Sequence, residues 1–236
     1  MSAANIYRVT IFRVKIYLLR IFVRYFSTAI AITMSGFWQP SWAGSQQEEQ
    51  LAADVQAMLR TSIINPVEPH LVFTESEQAQ AWLSDMSRRL RPFVADDFLA
   101  KRLLIRIQYE AVRAELDPQI VLSVITVESR FKKYALSPAG AQGIMQVMPF
   151  WLRQIGASDQ SLLNVDTNIR FGCTILRHYL QREHGDLARA LQRYNGSLGR
   201  TTYSDQVLAV YKRYWQPATV MTLSKSGALQ AIDYTN

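Results

Sequence analysis

The chain has 236 residues, 49% of them hydrophobic, enough for one sizeable core with an accessory segment but not for two full domains. Charged residues make up 19% and aromatics 11%, which excludes wholesale disorder, and the one cysteine, Cys173, excludes an intramolecular disulfide framework or a cysteine-rich zinc module. The formal charge of +7 belongs mostly to residues 1–43, where Arg8, Arg13, Lys15, Arg20 and Arg24 meet no acidic residue; the remainder carries only +2, so no nucleic-acid partner is expected.

Residues 1–24 are basic and apolar by turns, and the next fourteen, Tyr25 to Trp38, carry no charge. Pro40 ends that run, and Ser41-Trp42-Ala43 offers small residues where a signal peptidase reads. These are the parts of a signal peptide over 1–43, cleaved near Ala43, and they predict an exported, periplasmic protein. The other reading, an uncleaved anchor, needs about 20 apolar residues, and Arg20 and Arg24 interrupt any extension upstream. No cysteine follows the apolar core to carry a lipid.

Residues 44–95 read as an N-terminal helical extension. Leu51, Val55, Met58 and Leu59 stand at helical spacing, 61–74 with Pro66 and Pro69 reads as loop, and a second helix is predicted from Glu75 to Arg91, before Pro92. From Asp96 the periodicity tightens: Phe98, Leu99, Leu103, Ile107, Ala111 and Ala114 predict an amphipathic helix to about Glu115. Asp117-Pro118 is a helix start, Asp at the cap and Pro at the first position, for a segment reaching about Arg130. Ser137-Pro138-Ala139-Gly140 fits a type I turn. Asp166 reads as the cap of a helix whose stripe is Ile169, Cys173, Leu176 and Leu180, stopping at Gly185. Asp186 caps the next, which ends at Asn195-Gly196, and a last helix is predicted over 204–215, before Pro217. Residues 217–236 form a tail without strong pattern. The fold class is all-α, with one domain over 96–216.

One carboxylate stands on the wrong face. Val121, Val124, Ile125 and Glu128 fall at i, i+3, i+4 and i+7, so Glu128 lies on the apolar side of its helix. Burying it demands either a partner or a raised pKa. It is therefore a core glutamate paired with an arginine, or a general acid kept protonated by desolvation, as in a glycosidase. Downstream, Gln146 sets one amide among apolar residues, to bind a sugar hydroxyl or N-acetyl group or to satisfy nearby backbone. Tyr194-Asn195-Gly196 places a phenol at a helix end, facing a cleft or packed in the core.

In order and spacing, Glu128-Ser129, the run Ser137 to Pro149 (SPAGAQGIMQVMP), Asn168-Ile169 with Gly172, and Tyr194-Asn195-Gly196 resemble the soluble lytic transglycosylase family over about residues 100–215. The resemblance implies a goose-lysozyme-like helical fold that cleaves the MurNAc-β-1,4-GlcNAc bond of peptidoglycan. It implies Glu128 as sole catalytic acid/base, with Gln146, Tyr194, Ser137, Met148 and Asn195 along the substrate cleft. Two positions depart from the family's common pattern: Ile144 stands for leucine, and Gly196-Ser197 for Ala-Gly.

An ordinary glycosidase uses two carboxyl groups. Peptidoglycan supplies part of that chemistry itself, because the MurNAc N-acetyl oxygen can stabilise the developing cation and the MurNAc 6-hydroxyl can attack C1. One glutamate then suffices, and the product ends in 1,6-anhydroMurNAc. A hydrolytic lysozyme would need a second carboxylate, for which Asp159 and Asp166 are the candidates, and a wall-binding module on the same fold would need none. No cofactor or metal is expected: His70, His178 and His184 are scattered, and Cys173 lies on an apolar stripe. Lys132, Lys133, Arg189, Arg193 and Arg200 read equally as contacts to an anionic wall polymer or as solvated faces. Trp82, Trp151 and Trp215 read more readily as core than as sugar platforms. The expected partners are peptidoglycan glycan strands; envelope or secretion-apparatus partners stay open.

Overall fold

The computed structural model describes residues 48 and 50–216, apart from 65–67 and 156, together with the backbone of two short tail strands. The leader read in residues 1–43, and its cleavage near Ala43, lie outside the described residues.

Helix α1, Ala53–Ile64, runs past the point where a loop was expected to begin at 61, because nothing breaks it before Pro66. Its Leu59 and Ile63, one turn apart, are fully buried. Helix α2, Ser76–Leu90, buries Met86 and Leu90, and these four side chains join the same hydrophobic core as the helices that follow. Between α1 and α2 the chain is held by Gln108: Val72 N donates to its Oε1 at 2.9 Å and its Nε2 donates to the Val72 carbonyl at 2.8 Å. Both the backbone donor and the backbone acceptor of Val72 are thereby satisfied without a strand.

Helix α3, Asp97–Arg113, starts at Asp96, whose carboxylate accepts from Leu99 N at 2.9 Å. Phe98 and Leu99, expected on its apolar stripe, are exposed; the buried face is Ala100, Leu103, Leu104, Ile107 and Ala111. The first turn projects beyond the core, and the Phe98 ring is covered by the Arg102 guanidinium at 5.7 Å instead. Helix α4, Pro118–Glu128, begins as expected, with Asp117 accepting from Gln119 N at 2.7 Å and Pro118 at the first position. It is buried almost all round, Val121, Leu122, Val124 and Ile125 completely, as a helix at the centre of a bundle must be. It stops at Glu128, two residues short of the expected Arg130, because Arg130 and Phe131 turn left-handed at φ 52° and 64°. Two non-glycine residues in that region cost roughly 1–2 kcal/mol each, which the burial of Phe131 against Phe93 and Trp215 offsets.

Helix α5 is Phe150–Ile155 and α6 is Val165–Arg182. The cap of α6 is Asn164, whose side chain accepts from Thr167 N at 3.0 Å, and not Asp166. Asp166 sits in the first turn and pairs with Arg106 at 2.9 Å. Helix α7, Leu187–Asn195, starts on Asp186 and ends at Gly196, whose φ of 78° is the left-handed closure expected of that glycine. The last segment is not one α-helix over 204–215: α8, Thr202–Val210, continues into a π-helical turn, Tyr211–Trp215. The wider turn swings Trp215 into the core, where its indole N–H donates to Thr126 Oγ1 at 2.9 Å. Trp151 is also core; Trp82 is half-buried against Phe73. In the tail, β1 (Met221–Leu223) pairs antiparallel with β2 (Leu229–Ala231). Among the described residues no helix is long and apolar enough to cross a membrane.

Candidate active site

Glu128 closes the buried helix α4, and its side chain is only 7% exposed. Tyr203, second residue of α8, donates its hydroxyl to Glu128 Oε1 at 2.6 Å, while Oε2 is buried with no hydrogen-bond partner. Burial raises the Glu128 carboxyl to about 8, and the Tyr203 hydroxyl offsets part of that rise by favouring the charged form. A carboxyl group in this setting keeps its proton at neutral pH and has one oxygen uncommitted.

A second buried glutamate supplies the contrast. Glu110, fully buried on α3, accepts from Arg170 Nε at 2.9 Å and Arg113 Nε at 2.6 Å, with Arg106 at 3.5 Å. Arg170 also donates to the Ile63 carbonyl at 3.3 Å, tying α1 to α6. The arginine-paired core carboxylate that Glu128 was one candidate for is therefore Glu110. No arginine or lysine is paired with Glu128 among the described residues. Nor does a second carboxylate figure among the influences on it, which are burial and Tyr203. Asp166 is spent on Arg106, and Asp159 is exposed.

The run after Ser137 folds into a loop that lies on α6. Gly140 N bonds the Ser137 carbonyl at 2.9 Å, and Ser137 Oγ accepts from Ala141 N at 3.0 Å, so the expected turn is present and its serine hydroxyl closes it. Asn168, fully buried on α6, accepts from Met145 N at 2.7 Å and donates to the carbonyls of Gln142 and Leu162 at 2.8 and 2.9 Å. Gly172 has no room for a methyl, since a Cβ there would lie 2.4 Å from Met145 Sδ. Gly143 has none either: φ is 77°, and a Cβ would meet the Leu162 carbonyl at 2.5 Å. The loop is thus locked against α6 by one asparagine and two glycines.

The other sequence candidates fall around this loop. Gln146, left-handed at φ 51°, donates from Nε2 to the carbonyls of Ala135 and Gly143 at 3.1 and 2.8 Å, which is the backbone-satisfying role. Tyr194 is fully buried and donates to the Met145 carbonyl at 2.8 Å. Burial, and next the charge of Glu128, hold its phenol far above the ordinary value, so it lies within electrostatic reach of Glu128. Met148 is half-buried, and Asn195 is buried at the end of α7. Cys173 is buried core, its thiol pushed up first by desolvation. Among the described residues no three His, Cys, Asp or Glu side chains gather as a metal site requires. Tyr203 was missed from the sequence; its one signal is that Tyr203 and Val207, four apart, share the buried face of α8.

Residues 106–209 match the family model described as the transglycosylase SLT domain. The chain carries an SLT domain. Eighty-eight residues are 33% identical to the "Transglycosylase" of Enterobacteria phage PRD1, covering 37% of this chain and 32% of that protein. Ninety-seven residues are 32% identical to the "Membrane-bound lytic murein transglycosylase F" of Vibrio cholerae serotype O1, covering 39% of this chain and 18% of that protein. The matched region thus spans under a third of the length of these curated relatives. No solved structure matches. The helical fold described above is the lysozyme-like SLT fold, and the chain is a distant homologue of lytic transglycosylases.

Proposed function

We propose that the protein is an exported peptidoglycan lytic transglycosylase in which Glu128 is the only acid/base. The observation that carries the reading is a buried carboxyl group with no cationic partner, one oxygen held by Tyr203 and the other uncommitted. The SLT domain supports the substrate class, and the leader read in residues 1–43 supports delivery to the periplasmic wall.

Protonated Glu128 donates to the glycosidic oxygen as the bond from MurNAc C1 breaks, and GlcNAc leaves with the new hydroxyl. The MurNAc N-acetyl oxygen stabilises the cation at C1. The MurNAc 6-hydroxyl then attacks C1, and its proton returns to the Glu128 carboxylate. No water is consumed, and the ring closes as 1,6-anhydroMurNAc. General acid–base transfer accounts for about 10²–10⁴-fold; holding the 6-hydroxyl against C1 makes the second step intramolecular and supplies much of the rest. Asp166, one of the two carboxylates that a water-activating route could draw on, is paired with Arg106, which supports this route over one that aims a water at C1. Dye release from labelled sacculi tests the activity: the parent releases dye and Glu128→Gln does not. Release undiminished in the variant would refute the assignment.

A further inference from the structure

Where α1 meets the end of α3 and the second half of α6, the surface opens into a pocket of about 160 Å³. Helix α1 contributes Met58, Leu59 and Ser62, the end of α3 contributes Arg113 and Glu115, and α6 contributes Arg177. A cavity of about that size holds a benzene-sized group. The pocket is not the Glu128 site. Arg113 and Glu115 precede the first residue of α4, whereas Glu128 is its last, and this helix is about 16 Å long.

Backbone strain and charge meet in Glu115. Leu116 N donates to the Ala111 carbonyl at 2.8 Å and Glu115 N to the Val112 carbonyl at 2.9 Å, the paired closure of a helix end that needs one left-handed residue. That residue is Glu115, at φ 53°, where a glycine would sit without strain. Its carboxylate, on a side chain 73% exposed, pairs with Arg177 Nη2. The arginine is only partly matched, since its Nε is buried with no hydrogen-bond partner among the described residues. The other guanidinium of the pocket belongs to a cationic group. Arg113 donates to Glu110 from Nε and to Thr174 Oγ1 from Nη2. Arg106, Arg113 and Arg170 share Glu110, and Asp166 is the one other carboxylate paired with any of them among the described residues, so positive charge is in excess.

We propose that this pocket binds a small carboxylate, which displaces Glu115 and takes its place on Arg177. A carboxylate lying side-on to a guanidinium spans Nε and one Nη, so the ligand satisfies the donor that Glu115 leaves unmatched. Arg113 adds positive charge, and Met58 and Leu59 offer apolar surface to the ligand's carbon frame. Glu115 gives way at little cost, because a largely exposed ion pair is weak and its carboxylate passes into water on leaving. Glu115 is thus the internal competitor of the ligand, held over the pocket by its left-handed backbone. The site does not depend on the peptidoglycan reading.

The test is calorimetric titration of the whole protein with benzoate, a carboxylate on a ring the pocket can hold, at constant ionic strength and with benzamide as the uncharged counterpart. The parent should bind one benzoate saturably and no benzamide. Glu115→Gln keeps the shape of the side chain and removes the competing charge, so Kd for benzoate should fall about two- to fivefold, the equilibrium worth of a largely exposed ion pair. Arg177→Ala should weaken binding by at least about tenfold, and Arg177→Lys, a point charge without the fork, should fall between. Glu128→Gln should bind benzoate as the parent does, which separates the pocket from the active site. No saturable binding to Glu115→Gln, or an affinity there no higher than the parent's, overturns the proposal, because a glutamate that only closes a helix end competes with nothing. Binding that survives Arg177→Ala, is matched by benzamide, or is lost with Glu128→Gln overturns it equally.

Discussion

Replacing Glu128 by glutamine separates the two meanings of a buried carboxyl group through stability alone. The side chain is 7% exposed and its carboxyl is raised to about 8, whereas a glutamate in the unfolded chain titrates near about 4.3. Between those values the folded protein keeps a proton that the unfolded chain has released. Stability is therefore fully present below about pH 4 and falls by about 1.4 kcal/mol per pH unit until it levels off above about 8. At pH 7 the accumulated loss is on the order of 3–4 kcal/mol. Glutamine cannot titrate and escapes it. Its Nε2 takes a buried position where Oε2 has no partner, at a cost of roughly 1–3 kcal/mol. The net expectation is a variant at least as stable as the parent at pH 7, by about 1–2 kcal/mol, with the advantage gone near pH 5. Asp117, also raised by burial, and Glu183, lowered first by its hydrogen bond from Arg193, are common to both proteins, so their difference isolates Glu128. Urea unfolding from pH 5 to 9 reads it. A parent–variant gap that does not change with pH refutes the desolvation argument. A variant destabilised by about 3–5 kcal/mol at every pH would mark a broken buried ion pair instead.

Tyr203→Phe removes the hydroxyl that favours ionised Glu128, so the alkaline limb of the pH–rate profile should move to higher pH while kcat drops about tenfold; an unmoved limb argues against the contact. Glu110→Gln should cost about 3–5 kcal/mol in urea unfolding, because two buried guanidinium groups, Arg106 and Arg170, and the half-buried Arg113 lose their shared carboxylate, and the residual folded enzyme should turn over normally. Gly172→Ala drives a methyl into Met145 and should cost roughly 1–3 kcal/mol, with a turnover defect from the displaced loop; parental stability would mean the loop yields freely.

The parts legible in the sequence were those fixed by neighbours along the chain. Asp117-Pro118, Asp186 and Asn195-Gly196 mark helix ends that use only local bonds, and the burial of Glu128 follows from helical period. Asn164 and Asp166 are both capping types two residues apart, and the partner that Asp166 takes instead, Arg106, lies sixty residues away. The Tyr203–Glu128 bond spans 75 residues, and the Glu110 cluster draws arginines from two helices, so no local pattern carries either. Phe98 and Leu99 satisfy the period of their stripe yet stand beyond the core, because periodicity gives a face and not how far along the helix the core extends. Gln146 stands out in the sequence as an amide among apolar neighbours and Tyr194 as a phenol at a helix end, but their bonds to the carbonyls of Ala135, Gly143 and Met145 appear only once the loop is closed.

The central claim is that one carboxyl group cleaves the glycan without water. Digesting purified sacculi in water enriched in the heavy oxygen isotope, and reading the muropeptide ends by mass spectrometry, tests it most directly. MurNAc ends should be one water lighter than the hydrolysed sugar, free of the heavy isotope, and missing altogether with Glu128→Gln. Reducing MurNAc ends that carry the heavy isotope would contradict it and would require a second carboxylate to activate water at C1.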